Sequence, residues 1–240
     1  MTASPPPPRV ALITGATGAL GRAAAKAFAA DGYRVALGGT NADRLAEVAR
    51  DLDLDGDAWV AAVGDATTSD GARAIVRATE DRFERVDVLL HLVGGFVAGA
   101  PVAELDPSDL ETMLGQHLWS TVHLTQAVVP GMVERGAGRI LAATSVTTVS
   151  MPAKAAIYAT TKVAQETFLR VLAKEVAASG VTVNVVAVRQ IDEDHQRERE
   201  PSPKNAAWTT PEEIVATFRF LCSDAAAPIN GARIPLDGRA

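Results

Sequence analysis

The sequence predicts a parallel α/β sheet about seven strands wide, doubly wound with helices on both faces. Three observations carry this reading. Short apolar runs alternate along the chain with helix-length stretches, in the rhythm of repeated strand-helix units. The first apolar run passes through a glycine-punctuated turn straight into an alanine-rich segment. The chain has 240 residues, 48% apolar and only 5% aromatic, enough for one full core built from Ala, Val, Leu and Ile.

The elements follow in order. Val10 to Ile13 is wholly apolar, as a strand buried on both faces must be. Thr14-Gly15-Ala16-Thr17-Gly18-Ala19-Leu20-Gly21 turns the chain, and a helix leaves at once. Arg34 to Leu37 reads as the second strand and Ala42 to Leu52 as a helix. Ala58 to Val63 and Ser69 to Phe83 repeat the pair. Val86 to Val93 is the fourth strand, apolar except for Asp87 and His91, and a long helix runs from about Asp106 to Glu134. Arg139 to Thr144, a helix from Ala153 to Ala178, and Val181 to Val188 come next. A charged segment from Asp192 to Lys204 breaks the rhythm. Pro211-Glu212-Glu213 opens a sixth helix, with proline in its first turn and acids at its positive end. Ile229 to Leu236 closes the sheet. Right-handed crossovers between such units give a single Rossmann-type domain over residues 9–240, preceded by a flexible proline-rich lead-in over residues 1–8.

Composition narrows the function. A net charge of -6 with no lysine or arginine run argues against a nucleic-acid partner. Cys222 is the only cysteine, so no intramolecular disulfide forms and a reducing cytoplasm fits. The first residues, MTASPPPP, have neither the basic nor the apolar region of a secretory signal. No apolar segment reaches the roughly 18 residues of a membrane span, so no membrane association is expected.

In a doubly wound sheet the ligand lies beyond the C-terminal strand ends, at the switch point. Glycines at a spacing of three let the backbone turn tightly and let a phosphate approach the amides at a helix N-terminus. Gly15, Thr17, Gly18 and Leu20 are therefore candidate residues for a dinucleotide cofactor. Gly38-Gly39-Thr40-Asn41, after the second strand, has neither the acid that holds the ribose of NAD nor an arginine for the extra phosphate of NADP. Without the acid nothing at Gly39 and Thr40 repels that phosphate, and Arg22 or Arg44 is a candidate to reach it; NADP is favoured over NAD. Asp65, beside Ala66, either accepts from the adenine amine or caps the helix that follows. Val93 and Gly94, with Gly95, let the backbone come close to the cofactor.

The catalytic candidates are Ser145, Tyr158, Lys162 and His117. Tyr158 and Lys162 are four apart and project from one helix face, and Ser145 ends the fifth strand. An ammonium beside a phenol favours its ionised form, which suits proton transfer to or from an alcohol or carbonyl oxygen. No metal is expected: His117 and His123 fall on different helix faces, and His195, within Asp192-Glu193-Asp194-His195, reads as part of a solvated loop. Trp119 and Trp208 read as packing residues, with Trp208 able to wall the pocket, and Cys222 as a buried helix residue.

With these residues in place, the chain after its lead-in resembles a short-chain dehydrogenase/reductase. The resemblance implies that Tyr158 is the general acid/base, that Lys162 binds the nicotinamide ribose and lowers the tyrosine pKa, and that Ser145 orients the substrate oxygen. It also implies that the segment from Asp192 through Lys204 covers the substrate. The two longest helices would pair with copies of themselves in a homodimer or homotetramer. The turn matches the variant T-G-x-x-G-x-x-G. His91-Leu92-Val93-Gly94 stands where the family has N-N-A-G, His117 where it has an asparagine, and Val188-Arg189 where it has P-G after the sixth strand. These changes keep the proton donor and alter its surroundings; His117, expected to face inward close to Lys162, would replace the asparagine in a water-linked proton path. Leu92 to Phe96, Gln116 to Ser120, Ile191-Asp192, Trp208-Thr209 and the closing Leu236-Asp237-Gly238-Arg239 are similar to the dihydropteridine reductase-like branch. Two function classes follow: an oxidoreductase moving hydride between a nicotinamide and a small carbonyl, alcohol or fused-ring imine, or a dinucleotide-binding protein with little turnover.

Overall fold

A computed structural model describes residues 7–237. The lead-in up to residue 6, and Gly238-Arg239 of the closing match, lie outside the described residues. Seven strands form one parallel sheet in the order β3-β2-β1-β4-β5-β6-β7. They are β1 (Val10–Thr14), β2 (Arg34–Gly39), β3 (Trp59–Val63), β4 (Val88–His91), β5 (Gly138–Ser145), β6 (Val181–Val188) and β7 (Arg233–Leu236). The order reverses between β1 and β4, which is the switch point.

Strand residues alternate between two cores because successive side chains point to opposite faces. Ile13, Leu37 and Leu90 pack against α1 (Ala19–Ala30), α2 (Ala42–Asp51) and α9 (Pro211–Cys222), through Phe28, Leu45 and Phe218. Leu12, Leu89 and Ile140 pack against α3 (Ser69–Phe83), α5 (Ser120–Glu134) and α7 (Ala156–Glu175), through Ile75, Leu124 and Leu169. Each such fully buried side chain contributes roughly 1.5–3 kcal/mol.

Some boundaries move, for physical reasons. The helix expected from Asp106 to Glu134 is α4 (Pro107–Leu114), a π-helical turn over Gly115–Trp119, and then α5. A π turn holds one residue more than an α turn, and here it carries the fully buried His117. The helix expected from Ala153 begins at Ala156, because Lys154 has a φ of 65° and cannot lie in a right-handed helix. The fourth strand is confined to Val88–His91, since Leu92 onward peels away towards Gly94-Gly95. Ile229 to Ala232 precedes β7 as turn, with Asn230 Oδ1 accepting the Val183 N–H at 2.9 Å. Short helices α6 (Thr147–Ser150) and α8 (Gln196–Arg199), with 3-10 turns at Val102–Glu104 and Asp224–Ala226, complete the described chain. No described helix is long and apolar enough to cross a membrane.

Candidate active site

A cavity of about 630 Å³ opens beyond the ends of β1, β4, β5 and β6. Its floor is the glycine turn, where each glycine has a separate task. Gly15 has a φ of +72°, and a Cβ there would stand 2.7 Å from the Leu92 carbonyl oxygen. A Cβ on Gly21 would stand 2.3 Å from the Gly15 oxygen, so α1 can approach the turn only without one. Gly18 is different: a Cβ would meet nothing closer than Gly15 O at 3.6 Å, so this position is open towards the cavity. The side chains of Asn41, Thr68 and Thr210 cap α2, α3 and α9, but no side chain caps α1. Amides of its first turn are left facing the cavity, where an anion can use them.

The far wall holds the titratable groups. Ser145, at the end of β5, accepts the Thr147 N–H at 3.2 Å and lines the cavity together with Tyr158. Burial pushes the Tyr158 phenol above its usual 10, and the Ser145 contact partly opposes this. Phe96 stands edge-on to Tyr158 with ring centres 4.9 Å apart. Lys162 lies one helical turn below Tyr158 and is buried; its ammonium donates to the Ala143 carbonyl and to Gln165 Oε1, both at 3.0 Å. Burial lowers its pKa to about 8.

His117 enters from the π turn, on the inner side. Its Nε2 accepts the Gly95 N–H at 3.3 Å, which leaves Nδ1 to donate to Thr161 Oγ1 at 2.8 Å. The bonds therefore assign the tautomer. Burial and, after it, the Lys162 charge hold the ring neutral, with a pKa near 3. A Cβ built on Gly94 would stand 3.0 Å from His117 Nε2 and 3.8 Å from Lys162 Nζ, so the Gly94-Gly95 turn runs directly over both. His91, at the end of β4, bridges Thr14 Oγ1 at 3.0 Å and Ser120 Oγ at 3.1 Å; burial lowers its pKa to about 3 as well. It ties the glycine-turn strand to α5 from below.

A family model described as short chain dehydrogenase matches residues 9–204. The chain belongs to this family. The dehydrogenase is 31% identical over 237 residues to the 3-oxoacyl-(acyl-carrier-protein) reductase of Synechocystis sp., covering 96% of each chain. It is 32% identical over 240 residues to the D-threitol dehydrogenase of Mycolicibacterium smegmatis, covering 96% of this chain and 92% of the relative. A short chain dehydrogenase from Bacillus anthracis superposes with a TM-score of 0.86 at 25% identity, covering 96% of this chain and 95% of that one. The protein is an oxidoreductase dependent on a nicotinamide dinucleotide, NAD or NADP, acting on a small molecule.

Within the dehydrogenase, the cavity gathers Gly15, Gly18 and Leu20 on one wall and Val93 and Gly94 at the switch point. Ser145, Tyr158, Lys162 and His117 line the other side. Thr17 is exposed on the rim of the turn, while Gly39 with Thr40, and Asp65 with Ala66, stand at the neighbouring ends of β2 and β3, outside this cavity. Asp65 is not the cap of α3: Thr68 is, and Asp65 Oδ1 instead accepts from Thr67 N and Oγ1 at 2.9 and 2.7 Å. Arg22 pairs with Asp51 at 2.6 Å.

Several residues escaped the sequence reading. Asp192 is not part of a solvated run; it is 1% exposed and accepts the Gln196 and Arg197 N–H groups at 2.8 and 2.9 Å. The sequence carries no cap signal for it, since the residue next to the short helix is His195 and Asp192 reaches the helix amides from three positions further back. His195 is half-exposed, 3.1 Å from Glu212. Trp119 is not a packing residue; it is 51% exposed and stacks on His123. Behind Ser145, Arg233 donates to the Ser145 carbonyl at 3.2 Å, to Thr148 Oγ1 at 3.1 Å and to Glu166 Oε2 at 3.3 Å. Nothing local in the sequence links residues 145, 166 and 233.

Proposed function

We propose that this oxidoreductase reduces a small carbonyl compound, or an imine of a fused ring, with NADPH favoured over NADH. The observation that carries the reading is that Ser145, Tyr158 and Lys162 line one cavity whose opposite wall is the uncapped start of α1. The residues fit a dinucleotide: Gly18 leaves room for a pyrophosphate, the α1 amides would hold it, and Gly94 admits a nicotinamide ribose close to Lys162. The bound cofactor would supply the hydride. Ser145 then orients the substrate oxygen, and Tyr158 gives it a proton. A phenol raised above 10 is protonated at neutral pH, which equips Tyr158 as an acid. Lys162, with two of its three hydrogens committed, keeps the third for the ribose and the tyrosine.

No carboxylate occupies positions 38–41, and the α2 N-terminus and Arg44 bring positive charge to the end of β2, set against Asp43 in the same turn. This supports the extra phosphate of NADP. Thr17, Thr40, Asp65 and Ala66 complete the nucleotide side, with Asp65 as the acceptor for an adenine amine. His117 supports the turn over the nicotinamide. The matches at Leu92–Phe96 and Gln116–Ser120 support an imine of the dihydropteridine type among the substrates. Trp119, Val133 and Val171 are exposed apolar groups on α5, its entry turn and α7, which supports a homodimer or homotetramer built on these helices. A lone buried cysteine, its thiol pushed up to about 12, supports residence in a reducing cytoplasm.

Tyr158→Phe tests the reading against a panel of carbonyl and imine substrates followed at the nicotinamide absorbance. The variant is expected to bind NADPH as the parent does and to lose about a hundredfold to ten-thousandfold in turnover. Turnover within threefold of the parent refutes the assignment.

A further inference from the structure

The Lys162 ammonium is buried, and burial works against its charge. Apart from the Ala143 carbonyl, the protein group that receives it is Gln165 Oε1 at 3.0 Å. Gln165 lies three positions further along α7 and is 1% exposed. Its amide nitrogen donates to the His117 carbonyl at 3.1 Å and to Thr121 Oγ1 at 2.9 Å. A primary amide has one acceptor oxygen and two N–H groups, so every hydrogen and the oxygen of this side chain are engaged. The oxygen faces the site, and the nitrogen grips the π turn and the first turn of α5.

We propose that Gln165 is a positioning residue: its neutral amide fixes the Lys162 ammonium beneath Tyr158 and locks that face of α7 to the turn carrying His117. The proposal rests on the reading of Tyr158 as the acid/base. The neutrality of the amide matters. A carboxylate at 165 would balance the ammonium locally and take its charge away from Tyr158, whereas an apolar side chain would leave one protein acceptor and free the ammonium to swing. The amide also closes a route. It has no site that takes a proton from Lys162 and releases another towards the His117 carbonyl, so no proton reaches Lys162 through Gln165. His117 acts here as a support. The other titratable groups around Lys162 are Tyr158 on the same helix and the neutral His117 and His91. Glu166 is turned towards Arg233.

The test uses Gln165→Leu, Gln165→Glu and Tyr158→Phe, with NADPH affinity, kcat and the pH dependence of kcat measured for each. Gln165→Glu is expected to move the alkaline fall of kcat up by at least one pH unit and to lower kcat about tenfold. Gln165→Leu is expected to move the fall down and to weaken NADPH binding. Should Gln165→Leu fail to fold, Gln165→Glu, of the same shape, decides alone. An inactive Tyr158→Phe together with an alkaline limb unmoved in the Gln165 variants overturns the positioning role. An active Tyr158→Phe overturns the acid/base reading instead.

Discussion

Replacing the glycines of the first turn one at a time separates folding from nucleotide binding. At Gly15 an added methyl meets the Leu92 carbonyl oxygen at 2.7 Å and its carbon at 2.8 Å, both backbone atoms that cannot swing away, and the φ of +72° is strained for alanine. The left-handed conformation costs about 1–2 kcal/mol, and the overlap adds about 1–3 kcal/mol. At roughly 2–4 °C per kcal/mol for a chain of this size, Gly15→Ala should melt about 4–20 °C lower. Gly18 has a φ of -77° and a ψ of 165°, which alanine adopts freely, and its Cβ would have only a 3.6 Å contact. Loss of glycine at the N-cap costs at most about 1 kcal/mol, so Gly18→Ala should melt within about 4 °C of the parent. The methyl nevertheless occupies the space through which a pyrophosphate approaches the α1 amides. Losing one such hydrogen bond to a charged group, worth about 1.5–3 kcal/mol, weakens NADPH about tenfold to a hundredfold. Thermal melts and calorimetric titration with NADPH read the two effects separately. Gly18→Ala binding within twofold of the parent, or Gly15→Ala melting as the parent does, refutes this account of the turn.

Other outcomes follow from the same geometry. Gly39→Asp should shift preference towards NADH, since a carboxylate repels the extra phosphate and its Cβ meets only the flexible end of Leu45 at 3.2 Å; comparing kcat/KM for the two cofactors checks it, and an unchanged ratio would place the phosphate elsewhere. Carbonyl reduction should decline as pH rises through about 8, where Lys162 loses its proton, while Tyr158 remains protonated; a rate flat to pH 10 contradicts the role given to the ammonium. His91 and His117 have folded pKa values near 3, below the unfolded 6.5, so the unfolded chain binds more protons as pH falls between these values. Stability should be complete above pH 6.5 and fall towards pH 3, as the unfolded chain takes up the protons that the two folded rings refuse. Replacing both with asparagine should flatten the acid side of a stability curve measured by denaturant unfolding.

What could be read from the sequence was whatever is encoded by neighbours in the chain. Strands appeared because Val10–Ile13 is apolar throughout and Val181–Val188 nearly so, as residues inside a parallel sheet must be. Tyr158 and Lys162 appeared because one helical turn sets them on the same face. The glycine turn announced itself by spacing. What stayed hidden was fixed by partners far along the chain. Gln165 looks like any helix residue until His117 and Thr121, more than forty positions away, are seen to hold its amide. The π turn has no compositional mark; it makes room for His117 to reach both Gly95 and Thr161. Trp119 was misjudged because aromatic bulk usually packs inside, whereas the widened turn carries it to the surface against His123. Arg233 and Glu166 give no hint in their local surroundings that they meet behind Ser145.

That last contact bears on how the enzyme is made. The ribosome delivers β1, β4, β5 and α7, with the glycine turn, Ser145, Tyr158 and Lys162, before it delivers β7. At about 5–20 residues per second, Tyr158 precedes Arg233 by about 4–15 s. During that interval the Ser145 carbonyl has no guanidinium behind it, and Glu166 is without its ion-pair partner. The wall behind Ser145 is therefore completed by the last strand of the sheet to be made, so the end of the chain, and not the Tyr158 helix alone, finishes that side of the cavity.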